Sequence, residues 1–256
     1  MGVSIKHISY FFPPLSIDND MLANSFQDKT AQELFDISGV HKRHIASEGV
    51  LGSDLALNAM ESLILENPDF SIKEIDFLIV STLVLDYNSP TTASVLHRKL
   101  GLKSNCGAMD LPQGCTGFLY SLSVASAMIS AGNAKNVLIL LGEIPTKALH
   151  SDDIALRAIF GDAGAAIVVS ENQASKIGKF VFGTFGEGFD FLKVEVGGGR
   201  NPINSEWIKE YANQELNLPY GRIEMNGFEV LRFALKEIPA LLDRTLAINN
   251  ISISEI

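Results

Sequence analysis

Apolar positions along the chain follow two spacings that take turns. Val3, Ile5, Ile8, Tyr10 and the Phe11-Phe12 pair run up to Pro13-Pro14, which predicts a strand over 3–12 stopped by proline. Behind Ser53-Asp54, the residues Leu55, Leu57, Ala59, Met60, Leu63 and Ile64 recur at helical spacing. That predicts a capped amphipathic helix ending near Asn67-Pro68. The run 77–80 has no polar break, as in a strand buried on both faces. The same reading gives a helix over 91–100 stopped by Gly101 and a short strand over 106–109. A helix over 116–131 ended by Gly132 and strands over 137–141 and 165–170 follow. The apolar stripe of 118–129 fits a buried central helix better than a cofactor surface. Strand and helix alternating in this way predict a layered α/β fold with a mostly parallel sheet.

A second series begins after the polar stretch 170–175. Residues 177–185 and 191–196 read as a hairpin pair, Gly197-Gly198-Gly199 as a turn, and 207–216 as a helix. A long helix over 226–247 carries Phe228, Leu231, Phe233, Leu235, Ile238, Leu241 and Leu242 on its apolar side. One element recurs. Ser71-Ile72-Lys73-Glu74-Ile75 follows the first half's helix and leads into the strand at Phe77, and Ser252-Ile253-Ser254-Glu255-Ile256 follows the last helix. A unit used twice predicts two related halves, 1–172 and 173–256, the second incomplete, with a continuation on the order of 90 residues past Ile256.

Thirty acidic against twenty basic side chains give a net charge of −10. Such a surface repels phosphate backbones and anionic lipid, so neither nucleic acid nor membrane is an expected partner. The longest apolar runs fall far short of the roughly 20 residues of a spanning helix. Nothing near Met1 reads as a signal peptide, and a cytoplasmic location is expected. Cys106 and Cys115 are the two cysteines; a reducing compartment favours free thiols over a disulfide between them.

The segment Asp110-Leu111-Pro112-Gln113-Gly114-Cys115-Thr116-Gly117-Phe118 joins a strand to a helix through a turn with Pro and Gly. An elbow of this kind lifts the side chain at its apex off the sheet and sets it at a helix N-terminus. Free N–H groups and the positive end of the helix dipole there favour an anionic sulfur, the setting for attack on a thioester carbonyl. The plain alternative is a small cysteine packed between strand and helix, and composition alone does not separate the two.

Three segments carry a resemblance. They are Gly114-Cys115-Thr116-Gly117-Phe118-Leu119-Tyr120, Asn136-Val137-Leu138-Ile139-Leu140-Leu141-Gly142-Glu143, and Phe160-Gly161-Asp162-Ala163-Gly164-Ala165-Ala166. Supported by Ser38-Gly39-Val40-His41-Lys42-Arg43, Ser89-Pro90-Thr91 and Gly197-Gly198-Gly199-Arg200, they resemble the thiolase-fold condensing enzymes, and within them β-ketoacyl-acyl carrier protein synthase III. The resemblance implies a five-layer αβαβα fold of two related halves, a homodimer, and no cofactor or metal. It implies Cys115 as nucleophile, with substrate contacts from Arg157, Phe160, Ser89 and Pro90. The implied reaction joins an acyl thioester to a malonyl-type extender. Acyl carrier protein carries the substrates, with a coenzyme A thioester as a second donor. Two other readings stand beside it: acyl transfer from Cys115 without condensation, and a noncatalytic partner subunit or inactive fragment.

The chain departs from the pattern in places. The family's activating His and Asn have no counterpart among His7, His41, His44, His97 and His150. Where relatives that use coenzyme A show Trp, Arg and a further Arg, this chain has Glu33, Ile37 and Ile154, with Arg157 three residues on. Losing stacking and phosphate pairing there weakens the coenzyme A role. His41 and His44 lack a third ligand and read as surface residues rather than a metal site. Gly183-Thr184-Phe185-Gly186-Glu187-Gly188 lacks the following helix a dinucleotide fingerprint needs. Gly161-Asp162-Ala163-Gly164 reads as tight packing beneath the cysteine elbow.

Overall fold

A computed structural model describes residues 2–26, 29–172, 177–211 and 221–256. The chain divides into two compact units. The first holds residues 1–146 and 157–177, the second 147–156 and 178–256.

The first unit opens with strand β1 (Val3–Phe11), then β2 (Ser16–Asp18), helices α1 (Asn19–Asn24) and α2 (Ala31–Ser38), and β3 (Lys42–His44). It continues with α3 (Gly52–Glu66), β4 (Phe77–Ser81), α4 (Thr92–Lys99), β5 (Gly107–Asp110), α5 (Gly117–Ser130) and β6 (Asn136–Glu143). Helix α6 (Ile154–Ile159) straddles the division, and β7 (Ala163–Glu171) closes the unit. Five strands form one sheet in the order β1-β7-β6-β4-β5. β4 pairs in parallel with both β5 and β6, whereas β7 runs antiparallel to β6 and to β1. The sheet is therefore mixed, not mostly parallel as the pattern predicts. A parallel partner needs a full crossover connection. Between β6 and β7 the only α-helix is the six-residue α6, and the chain turns back beside the strand it has just left.

Alternation along the strands assigns the two faces. Leu78, Val80, Leu138, Leu140, Ala166 and Val168 form one core with Ala56, Ala59, Met60 and Leu63 of α3 and Ala93 and Leu96 of α4. Ile79, Ile139 and Ile167 point the other way and are fully buried, and α5 packs on β6, β7 and β4 through Leu122, Ala125 and Ile129. The result is three layers, helix on sheet on helix.

Helix α3 starts two residues earlier than a Ser53 cap predicts. Its N-cap is Leu51, whose N–H donates to the Asp54 carboxylate at 3.1 Å, while Ser53, the expected cap, is buried with an unpartnered hydroxyl. The start of α3 lies directly on the sheet: a Cβ built on Gly142 would collide with the Gly52 backbone, and one on Gly52 with the Gly142 carbonyl. Gly164 likewise meets the Leu55 backbone, and Gly161 lies 3.0 Å from Cβ of Arg43 in the same sense. The Gly161 to Gly164 stretch thus packs on α3 and β3, not beneath the cysteine elbow. Between those glycines, buried Asp162 accepts from the N–H of Ala46 (2.8 Å) and of Thr146 (3.1 Å) and from the Thr146 hydroxyl (2.5 Å).

The second unit contains β8 (Leu192–Val194), α7 (Ser205–Tyr211), β9 (Ile223–Met225) and α8 (Gly227–Asn249). The expected hairpin between 177–185 and 191–196 does not form. β8 pairs with β9 instead, matching Leu192 to Met225 and Val194 to Ile223, while the glycine-rich 183–188 segment holds only a short 3-10 turn at Gly186–Gly188. The helix expected over 207–216 is α7 where described, and 212–216 lie outside the described residues, as do 173–175 of the expected polar boundary. Asn226 caps α8 by accepting the Glu229 N–H at 3.2 Å. At its other end Asn249 accepts the Lys179 N–H at 2.6 Å and donates to the Lys179 carbonyl at 3.0 Å. The two copies of the repeat form the same structure, a 3-10 turn at Ile72–Glu74 and another at Ile253–Glu255, each behind a serine N-cap.

The contact between Gly52 and Gly142 makes a direct prediction. Gly142→Ala forces α3 off the strand, and overpacking of this kind costs about 1 to 3 kcal/mol. A urea midpoint equal to that of the unsubstituted chain would show that the contact is not as tight as described.

Candidate active site

Three parallel strands end at one edge of the sheet. Val80 lies opposite Asp110 and Leu140, and Ser81 opposite Leu141. The chain leaves these ends as the loop after Ser81, the elbow after Asp110, and Gly142-Glu143.

Each exit is held by a specific polar contact. Asp110 accepts from the N–H of Thr92 (2.9 Å) and Ala93 (2.6 Å), so the strand that enters the elbow also anchors the first turn of α4. Leu111 N–H donates to the Val80 carbonyl at 2.8 Å and extends the parallel ladder by one step. The backbone then turns at Gly114, whose φ of +53° is a left-handed conformation suited to glycine. Cys115 follows within a 3-10 turn, Gly114–Thr116, and is exposed. Gly117 opens α5 against the Ser81 side chain with no room for a Cβ. Thr116, at the N-cap, makes no side-chain bond to the helix; its hydroxyl donates to the Gln113 carbonyl at 3.1 Å. The Gly117 N–H donates to the Gly114 carbonyl, and the Thr116 side chain caps no N–H of this fourteen-residue helix, whose positive dipole end lies beside Cys115.

Cys106 differs in every respect. It precedes β5, which begins one residue later than expected, and is 7% exposed. Burial pushes its thiol up, and the nearby Asp76 carboxylate adds to this. Both cysteines are free.

Glu143, at the end of β6, accepts the Leu83 N–H at 3.0 Å. Burial pushes its carboxyl up to about 7, and the Leu83 hydrogen bond only partly opposes the shift. The sequence offered a faint signal for this residue, an acid ending an otherwise apolar strand.

The other expected site residues divide into two groups. Ser89 and Pro90 lead into α4, whose start Asp110 holds, and so belong to the elbow's surroundings. Pro90 borders a surface groove of about 710 Å³ with Ser94, Val95, Arg98 and Lys99. Arg157 and Phe160 belong to the α6 region: the Arg157 guanidinium sits 5.3 Å from the Phe26 ring centre, and the Ala158 carbonyl accepts from buried Arg43 at 2.9 Å. Glu33 has a local task, with its carboxylate accepting from the Thr30 N–H (2.7 Å) and hydroxyl (2.9 Å) to cap α2. Those bonds hold its carboxyl below the usual carboxylate range. Ile37 is exposed. In the second unit Ile154 lines a shallow depression with His150, Asp152, Asp153, Ala155 and Arg222. His41 stacks on Phe35, and His44 bonds the Pro13 carbonyl at 2.6 Å. Among the described residues no three His, Cys, Asp or Glu side chains could hold a metal ion. Among them, too, no helix is long and apolar enough to cross a membrane.

A crystal structure of a 3-oxoacyl-(acyl-carrier-protein) synthase III superposes on the whole chain with TM-score 0.92 at 32% identity, covering 77% of that protein. The synthase of Burkholderia xenovorans matches 98% of the chain and 70% of its own length, with TM-score 0.86 at 28% identity. A priming β-ketosynthase of polyketide biosynthesis, at 22% identity and TM-score 0.84, shares the fold. Fold and elbow define a thiolase-like acyltransferase. Residues 109–186 match the model of the family described as 3-oxoacyl-[acyl-carrier-protein (ACP)] synthase III. The β-ketoacyl-[acyl-carrier-protein] synthase III of Clostridium tetani is 31% identical over 99% of this chain and 75% of its own length, and that of Wolbachia pipientis 31% identical over 96% and 72%. The chain belongs to the β-ketoacyl-acyl carrier protein synthase III family, and it spans about three quarters of the length of these relatives.

The raised Glu143 carboxyl makes the fold pH-dependent. A carboxyl that titrates higher when folded contributes its full stability below the unfolded value of about 4.5 and loses it as pH rises through about 7. From pH 4.5 to 8 the chain is expected to lose on the order of 3 kcal/mol relative to Glu143→Gln. Parallel urea melts of the two proteins with the same pH dependence would contradict it.

Proposed function

We propose that Cys115 is the nucleophile of a decarboxylative condensation. Its sulfur attacks the carbonyl of an acyl thioester, the carbonyl–sulfur bond of the donor breaks, and the carrier thiol leaves with a proton. A malonyl-type thioester then loses carbon dioxide, its carbanion attacks the acyl-cysteine, and a β-ketoacyl thioester departs as Cys115 is freed. The observation that carries this reading is an exposed cysteine at the N-terminus of α5, which the Thr116 side chain does not cap. The positive end of the helix dipole there suits an anionic sulfur and the oxyanion of the tetrahedral intermediate. The chain's own residues support the acylation half most directly.

Acyl carrier protein, named by the relatives, is the proposed carrier of both substrates. Glu33, Ile37 and Ile154 at positions where a nucleotide would be stacked or paired weigh against coenzyme A as the main donor. Ser89 and Pro90 are proposed to border the acyl chain, and Arg157 and Phe160 to contact the arriving substrate. The active form is proposed as a cytoplasmic homodimer joined along β5, the sheet's edge strand, and the loop 86–92, with residues 1–172 forming the nucleophile-bearing half. Unpaired backbone groups on an edge strand are a ready site for pairing with a second copy. A single-chain mass near 27.8 kDa in micromolar light scattering would count against the dimer.

Incubation with acyl-acyl carrier protein, followed by intact-mass and peptide analysis, should place the acyl group on Cys115 and none on buried Cys106. Cys115→Ala should abolish the adduct. An adduct on any other residue, or one that survives the substitution, would overturn the assignment.

A further inference from the structure

We infer that Glu143 is a positioning residue for the Cys115 elbow, acting through Leu83. It rests on the reading of Cys115 as nucleophile. Glu143 ends β6, two strands from the elbow, and its carboxyl accepts the Leu83 N–H at 3.0 Å. Leu83 lies in the loop that leaves β4 between them. Its side chain sits against the apex of the elbow: a Cβ built on Gly114 would lie 3.0 Å from Leu83 Cδ1 and 3.6 Å from Cγ. Gly114 directly precedes Cys115 and holds the left-handed φ of +53° that sets where the sulfur emerges. The far side of the elbow is braced as well, since Gly117 abuts Ser81, two residues before Leu83. Ser81 and the loop that follows it therefore touch the elbow on both sides of the cysteine, and Glu143 fastens the loop backbone at Leu83, as the Thr82 and Thr92 hydroxyls do at Val84 and Asp86.

The chemistry of the contact fits this task. One N–H is satisfied by one oxygen, which a neutral carboxyl provides as well as a carboxylate does. Burial pushes the group up to about 7, so the neutral form is well populated at working pH. An amide presents the same acceptor without the buried charge. Glutamine is consequently the fitting replacement, and alanine leaves the Leu83 N–H without its acceptor.

Acyl transfer to Cys115 from acyl-acyl carrier protein should separate this role from a general structural one. Glu143→Ala is expected to lower kcat about tenfold with KM changed less than twofold, and Glu143→Gln to recover most of that loss. Leu83→Ala should match Glu143→Ala, and the double variant should fall little further, because both changes cut the same path. The rate of Cys115 alkylation by iodoacetamide, which needs no enzyme substrate, is measured in parallel. It should slow at least threefold in the alanine variants and recover in Glu143→Gln. If the unsubstituted chain is alkylated at Cys115 but never acylated, the proposed function fails while the alkylation series still decides the role of Glu143. Should Glu143→Ala fail to fold by circular dichroism, Leu83→Ala and Glu143→Gln carry the test. Equal rates in the unsubstituted chain and the alanine variants, or a glutamine variant as slow as the alanine one, would overturn the inference.

Discussion

The site exists because β4 lies between two parallel partners. Its pairing with β5 on one side and β6 on the other fixes a common register, so that three strands release their chains at one edge of the sheet. Open α/β sheets place their chemistry beyond the carboxyl ends of such strands for this reason: the exits are close together, while the strands behind them are rigid. Phe77 to Ser81 supplies that rigidity, since Leu78, Ile79 and Val80 are almost wholly removed from water. A one-residue slip of β5 on β4 would exchange its two faces and move Asp110 away from the first turn of α4. The elbow's geometry is thus a consequence of a buried hydrophobic register and needs no strained loop to maintain it.

Rigidity at that edge is also a matter of missing side chains. Gly52 and Gly142 let α3 rest on β6 where Glu143 begins, and Gly117 lets α5 start against Ser81. These approaches hold the helices at both faces close to the strand ends. Burial in this packing raises the Glu143 carboxyl, while its hydrogen bond to the Leu83 N–H lies at the exposed rim of the strand ends. Packing and electrostatics are one effect here.

Much of this was legible in the sequence, for identifiable reasons. Uninterrupted apolar runs predicted β4 and β6, and Asn226 and Gly101 predicted the limits of α8 and α4, because burial on both faces and helix termination leave local signatures. The segment 110–118 announced its elbow through Pro112, Gly114 and Gly117. What escaped was information held between distant residues. Nothing local in 163–171 says that it runs antiparallel to β6, and the partner of Leu192 to Val194 lies about thirty residues away at Ile223 to Met225. Ser53 carries the right chemistry for a cap, yet the backbone of Leu51 takes that position because Asp54 is three residues further on. Glu143 was visible as an acid at the end of an apolar strand, but its importance depends on Leu83, sixty residues away.

The two cysteines show how little residue type decides by itself. They lie nine positions apart on one continuous segment, on either side of the same short strand. Cys106 enters β5 from the buried side, where its thiol donates to the neighbouring Gly107 carbonyl and desolvation opposes ionisation. Cys115 leaves past a glycine in a left-handed turn and meets the N-terminal end of α5 and solvent. One cysteine is enclosed by the fold and the other faces water at a helix N-terminus. The surroundings of each cysteine are therefore set by where the strand ends. The strand ends there because Leu111 donates the last ladder bond to Val80 before Pro112, which has no N–H to give.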